Sequence, residues 1–133
     1  MRTQPAAPAD QLHVVPRDTF VRHLANVMAV HPEVAANLTA PAELAEGTFY
    51  LTTDGASGFG VTWEGELVGL FSTVRGRCAD LLDQAVKIGA TELNCFDDGR
   101  LPGIYARHGF VEYDREPNWT PGGPDVIYMD RGI

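Results

Sequence analysis

The chain predicts a mixed α/β (α+β) fold, with helices flanking one mostly antiparallel sheet. Three observations carry that expectation. Period-two alternation runs through three consecutive segments between residues 48 and 72, interrupted only by Gly-bearing separators. Helical spacing of apolar residues precedes and follows that block. Beyond it, helix and strand patterns alternate and close on two strands. The resulting order is β-α-α-β-β-β-α-β-α-β-β, a meander that runs into a strand–helix–strand crossover.

Each element has its own local cause. Residues 12–15, "LHVV", form an apolar run that Pro16 ends, which reads as a first strand. Asp18 or Thr19 can cap the helix that follows, where Phe20, Leu24, Val27 and Met28 recur at i, i+4, i+7 and i+8. It stops before "HPE", because the residue preceding a proline resists helical angles. "PEVAANL" and "PAELAEG" read as one broken helix or two short ones, the second stopped by Gly47.

"TFYLTT" (48–53), "GFGVTW" (58–63) and "ELVGLFS" (66–72) are strands, and "DGAS" and "EG" between them are hairpin turns. The basic connector "TVRGRC" leads into a helix over residues 79–88, with Leu81, Leu82, Ala85 and Val86 on one face and Gly89 as its cap. "TELNCF" (91–96) is a strand and "DDGR" a loop that Asp97 and Asp98 equip to cap the next helix. That helix, "LPGIYARH" (101–108), has Pro102 in its first turn. "FVEYDR" (110–115) and "DVIYMD" (125–130) are the last strands, joined by the loop "EPNWTPGGP".

At 133 residues and 44% hydrophobic content, this is one domain large enough to bury a core. The Pro/Ala-rich residues 1–10 are expected to be disordered, leaving residues 11–133 as the domain. No apolar run approaches a membrane span and no signal segment opens the chain, so a cytoplasmic location without a membrane partner is expected. The formal charge of −8 argues against nucleic-acid binding. Cys78 and Cys95 are too few for a disulfide framework and lack metal spacing, so free thiols and no metal are expected.

Two stretches, "TVRGRCADLLDQAVKIGATELNCF" and "DDGRLPGIYARHGFVEY", resemble segments of the GNAT superfamily of acyl-CoA-dependent N-acyltransferases. The first is similar to the family's Q/R-x-x-G-x-G/A turn and helix, with Thr73 at the Gln/Arg position, Gly76 at the first glycine and Cys78 at the second. The second is similar to the family's N-x-x-A-x-x-L-Y-x-x-x-G-F segment. Tyr105, Gly109 and Phe110 match it outright, while Asp98, Leu101 and Ile104 stand at its Asn, Ala and Leu positions. "SGFGVTWEGELVGLFS" and "REPNWTPGGPDVIYM" look like small acetyltransferase-like proteins of phages and their hosts, which implies host cytoplasm or virion as the setting. The resemblance covers most of the chain after residue 12.

What the resemblance implies is a GNAT-like fold and acetyl-CoA as co-substrate, without a metal. Its contacts would fall on Leu70, Phe71, Thr73, Val74, Arg75, Gly76, Arg77, Cys78 and Ala79. The physics agrees: a pyrophosphate suits the unpaired amides at a helix N-terminus, and Gly76 lets the chain approach it. A side chain at Gly76 is expected to spare the fold unless that glycine needs a positive φ. The amide of Leu70 or Phe71 would polarise the thioester carbonyl, and Tyr105 would protonate the leaving thiolate. Tyr105 also admits the plainer reading of a ring that covers the core. Trp119 is a candidate for the acceptor site, and Glu64, Glu66 and His108 offer no readable general base.

The implied activity is acetyl transfer to a primary amine, on a small molecule or a protein lysine, by direct attack. Thr73, Cys78 and Asp80 depart from the family pattern and support the alternative, a non-catalytic binding or structural module such as a particle component or host-protein inhibitor. A homodimer or larger assembly is compatible with either.

Overall fold

The computed structural model describes residues 8–35 and 38–131. Strand β1 (Leu12–Val15) leads into helix α1 (Arg17–Val30) and the short α2 (Pro32–Ala35). A 3-10 turn over Pro41–Glu43 precedes strands β2 (Gly47–Thr52), β3 (Ser57–Thr62) and β4 (Leu67–Ser72). Helix α3 (Cys78–Ile88), β5 (Glu92–Phe96), α4 (Leu101–Ala106), β6 (Val111–Glu116) and β7 (Val126–Asp130) complete the order expected from the sequence.

Boundaries shift where a distant contact outweighs a local signal. Helix α1 needs no cap from Asp18 or Thr19. Pro16 takes the N-cap position without a side-chain bond, and the Arg17 guanidinium donates to the carbonyls of Leu44 (2.6 Å) and Ala42 (3.2 Å). Gly47 stops no helix; it opens β2 opposite Thr62. Of the N-terminal segment expected to be disordered, residues 1–7 lie outside the described residues. Residues 8–10 are tied down, since the Ala9 carbonyl accepts the Asp54 N–H at 3.1 Å. Ala36 and Asn37 of the expected second helix also lie outside the described residues, as do residues 132–133.

The strands form two sheets, β1-β2-β3-β4 and β5-β7-β6, antiparallel within each. Among the described residues a single parallel bridge, Glu66 to Glu92, joins β4 to β5. The two strands therefore start side by side and then separate. One core cluster fills the face under α3 and α4, with Leu82, Leu93, Phe110, Ile127 and Met129. The other lies under α1, where Phe20 and Leu24 meet Phe49, Leu51 and Phe71, the Phe20 and Phe49 ring centroids being 5.0 Å apart. Alternation along β4 explains the split, with Leu67 and Leu70 on the first face and Val68 and Phe71 on the second.

That alternation slips once. The β3–β4 register shifts between Gly58 and Gly60, so Phe59 alone faces both Gly69 and Leu70. Gly69 sits there at φ 62, and a Cβ on it would come within 3.1 Å of the Phe20 ring. Only glycine meets both demands without strain. The bulge bends β4 at the point where it leaves β5.

Candidate active site

The divergence of β4 and β5 opens a cleft of about 790 Å³ that passes between the two sheets. Its walls come from β4, from the connector to α3, from Leu93 to Cys95 of β5, and from Tyr105 on α4. On the α1 side it is closed by Glu33, Val34, Leu38 and Thr39. Of the nine residues expected to contact acetyl-CoA, all but Arg77 and Ala79 line this cleft.

Backbone pairing distinguishes Leu70 from Phe71. Thr73 N–H donates to the Ala56 carbonyl at 2.8 Å, and Phe71 lies opposite Gly58 two steps back along the same ladder. Ladder bonds alternate in direction, so the Phe71 amide points to β3 and the Leu70 amide away from it, toward the opening. The Leu70 amide thus stands where β4 meets the cleft.

The turn into α3 is held from behind. Arg77 donates to the Asp54 carboxylate at 2.7 and 3.0 Å and to Ser57 Oγ at 3.3 Å. Ser57 and Ser72 hydroxyls lie 2.8 Å apart, and Ser72 Oγ donates onward to the Val74 carbonyl at 2.7 Å. The Arg77 guanidinium is therefore committed to the β2–β3 turn rather than turned toward a phosphate. Arg75 is exposed, lines the cleft and makes no hydrogen bond or ion pair among the described residues. Gly76 adopts φ 84 with nothing within 4 Å of where its Cβ would stand. The first helical bond of α3 runs from Leu81 N–H to Arg77 O (3.0 Å), which leaves the amides of residues 78–80 without helical partners.

The Asp54–Arg77 tie makes a pH-dependent prediction. The Arg77 bond holds the Asp54 carboxyl well below the usual carboxylate range, against a smaller opposing effect of burial. A carboxylate with a depressed folded pKa adds stability above its unfolded value of about 4, and that stability fades as pH falls below it. Asp54→Asn should therefore melt a few degrees below wild type at neutral pH, with the gap closing progressively in acid. Thermal denaturation across that range checks it, and a constant gap would show that the charge is irrelevant.

Tyr105 is 8% exposed, with its ring edge-on to Phe110 at 6.2 Å. Its hydroxyl has no hydrogen-bond partner among the described residues, yet it is not an enclosed orphan atom, so it opens into the cleft that Tyr105 lines. Burial first, then the neighbouring thiols Cys78 and Cys95, push its pKa well above the ordinary phenol value. The proton stays on throughout the physiological range. Burial likewise raises the Cys78 thiol, so this residue is no activated thiolate despite the nearby helix terminus.

The remaining candidates separate from the cleft. His108 Nδ1 meets Asp83 of α3 at 3.0 Å. Asp98 caps the start of α4 through the amides of Arg100 (2.8 Å) and Leu101 (2.7 Å), while Asp97 pairs with Arg115. Trp119 is 80% exposed and does not line the cleft, in a loop closed on itself by the Asn118 bond to the Pro124 carbonyl. Glu64 is exposed, but Glu66 is half-buried on the cleft wall, where burial and then the carboxylates of Glu92 and Glu64 raise its pKa. The sequence offered no readable role for Glu66, because its hairpin position hides the approach of β5. Arg100, at the same opening, gave no motif signal at all.

No protein-family model and no curated protein matches the chain. A solved structure does match in fold. The apo form of YjaB from Escherichia coli covers 91% of this chain and 96% of its own, with a TM-score of 0.56 at 14% identity. A chimera of spermidine N-acetyltransferase SpeG from Vibrio cholerae with hSSAT covers 90% and 93%, with a TM-score of 0.49 at 15% identity. The fold is of the GNAT type.

Proposed function

We propose that this GNAT-type fold is an acetyl-CoA-dependent N-acetyltransferase that acts on a primary amine by direct transfer. The observation that carries the reading is the Tyr105 hydroxyl, nearly enclosed, still protonated and unpartnered among the described residues, in the same cleft that Leu70 of β4 lines. A cleft with a backbone donor on one wall and a proton source on the other suits acyl transfer, in which charge appears first on a carbonyl oxygen and then on a leaving sulfur.

The Gly76 turn and the free amides of residues 78–80 would take the pyrophosphate, with Arg75 as the available cation. Cys78 is partly buried and packs against the core under α3, so this departure from the family pattern is compatible with the fit. The Leu70 amide would receive the carbonyl oxygen. A neutral amine nitrogen then bonds to the carbonyl carbon, the carbon–sulfur bond breaks, Tyr105 gives its proton to the sulfur, and solvent takes the surplus amine proton and restores the phenol. The products are the acetamide and free coenzyme A. No general base is required of the protein for an amine that arrives neutral.

Native mass spectrometry of the purified protein with acetyl-CoA, together with release of free thiol when amines are added, tests this reading. Bound acetyl-CoA and amine-dependent thiol release are expected. Absence of both would leave the non-catalytic module in first place.

A further inference from the structure

The turn that enters α3 is closed from behind by a circuit of side chains. The Val74 carbonyl accepts the Ser72 hydroxyl at 2.7 Å, and the Ser72 and Ser57 hydroxyls lie 2.8 Å apart. Arg77, at the far end of the turn, reaches Ser57 Oγ at 3.3 Å. A guanidinium only donates, and each hydroxyl has a single proton to give. Every bond therefore runs one way, from Arg77 to Ser57, from Ser57 to Ser72 and from Ser72 to the Val74 carbonyl. The circuit joins the two ends of the turn that carries Gly76.

Asp54 fixes the head of this circuit. Its Oδ1 accepts the Thr52 hydroxyl at 2.7 Å, the Ala56 N–H at 3.0 Å and Arg77 at 3.0 Å. Its Oδ2 accepts Arg77 again at 2.7 Å, and such a bidentate pair holds the guanidinium plane in one orientation. Among the described residues the buried polar side chains are Thr52, 1% exposed, and Ser57, fully buried, and both belong here. Buried hydroxyls add little net stability, because their bonds replace bonds to water. A fully satisfied network instead selects one geometry. The segment whose geometry it selects, residues 72–76, lines the cleft.

The structure assigns Asp54 as a positioning residue, which acts through Arg77 and Ser57 to hold the Val74–Arg77 turn in the shape that receives the pyrophosphate of acetyl-CoA. The inference rests on the donor site of the transfer reading above. Asp54 does not line the cleft, so its influence passes through the turn. Charge alone predicts the opposite effect. A carboxylate near an anion site repels the anion, and removing it would release Arg77 toward the phosphates. Asp54 is 30% exposed, and solvent and salt screen that repulsion. Donors held in place for an anion lose much of their value once their geometry loosens. The loss of geometry should win.

Asp54→Asn separates the two effects, because its amide nitrogen would face the Arg77 donor that Oδ2 now accepts. In calorimetric titration of coenzyme A, Asp54→Asn should show a Kd about tenfold above wild type. Ser57→Ala keeps the Asp54–Arg77 pair and breaks the circuit at its centre, so it should weaken binding about threefold. S-acetylpantetheine is a donor without the pyrophosphate or the nucleotide. Its kcat/KM should stay within about twofold of wild type in both variants, read well below their melting temperatures. Unchanged or tighter coenzyme A binding in Asp54→Asn would overturn the inference. So would wild-type affinity in Ser57→Ala, equal loss with both donors, or a wild type that binds no coenzyme A. Binding that weakens as expected, in a protein that transfers acetyl from neither donor, would uphold the inference and sink the transfer reading.

Discussion

Replacing Tyr105 by phenylalanine should lower kcat by about a hundredfold or more while leaving acetyl-CoA affinity and melting temperature close to wild type. The kinetic half follows from the role: proton donation matters in the transition state and hardly at all in the ground state. The stability half follows from the structure. The hydroxyl has no hydrogen-bond partner to lose, and phenylalanine preserves the ring contact with Phe110. The two readings of this residue therefore separate cleanly. A ring that merely covers the core gives a phenylalanine variant of unchanged rate, and that result would remove Tyr105 from the mechanism. A companion expectation concerns pH. Because burial drives the Tyr105 pKa upward, no loss of rate from its ionisation should appear below about pH 10, the ordinary phenol value. An earlier alkaline fall, kept by the phenylalanine variant, would have to come from another group.

The second large effect is expected at Gly76. Acetyl-CoA at a hundred times its Kd should stabilise wild type by about 2.7 kcal/mol, a melting shift of several degrees in a domain of this size. In Gly76→Asp that shift should vanish, because the new side chain stands beside the amides of residues 78–80 and carries the wrong charge for a pyrophosphate. The sequence allowed this change to spare the fold unless the glycine needed a positive φ, and it does, at 84°. A strained backbone therefore adds about 1 kcal/mol of destabilisation of its own. Gly76→Asn supplies the control, since asparagine tolerates that conformation about as well as aspartate and brings no charge. The open space around the position means that neither side chain meets a neighbour. Asn should keep part of the shift and Asp none. Identical loss in both would assign the effect to backbone strain, and no shift in wild type at millimolar acetyl-CoA would remove the cofactor site itself.

Much of this protein was legible in its sequence. Period-two patterns identified the three hairpin strands and period-3.6 patterns helices α1 and α3, because such patterns depend on which face of a local element is buried, while the other elements were read from apolar runs and turn residues. Tyr105 and Gly76 entered as candidates through the two stretches that resemble GNAT segments, and the structure places both on the wall of one cleft. The tertiary structure alone decided what happens between elements. Whether Leu70 or Phe71 presents its amide depends on the bulge opposite Phe59, a property of the β3–β4 register. Arg77 looked equivalent to Arg75 in "VRGR", yet Asp54, 23 residues earlier, claims its guanidinium. Glu66 sits after a hairpin turn in the sequence, yet it is half-buried beside Glu92, which β5 brings from 26 positions away. A chain writes its local periodicities in consecutive residues, whereas a cleft and a committed guanidinium exist only once strands distant in sequence are paired, and no spacing along the chain records which strands those are.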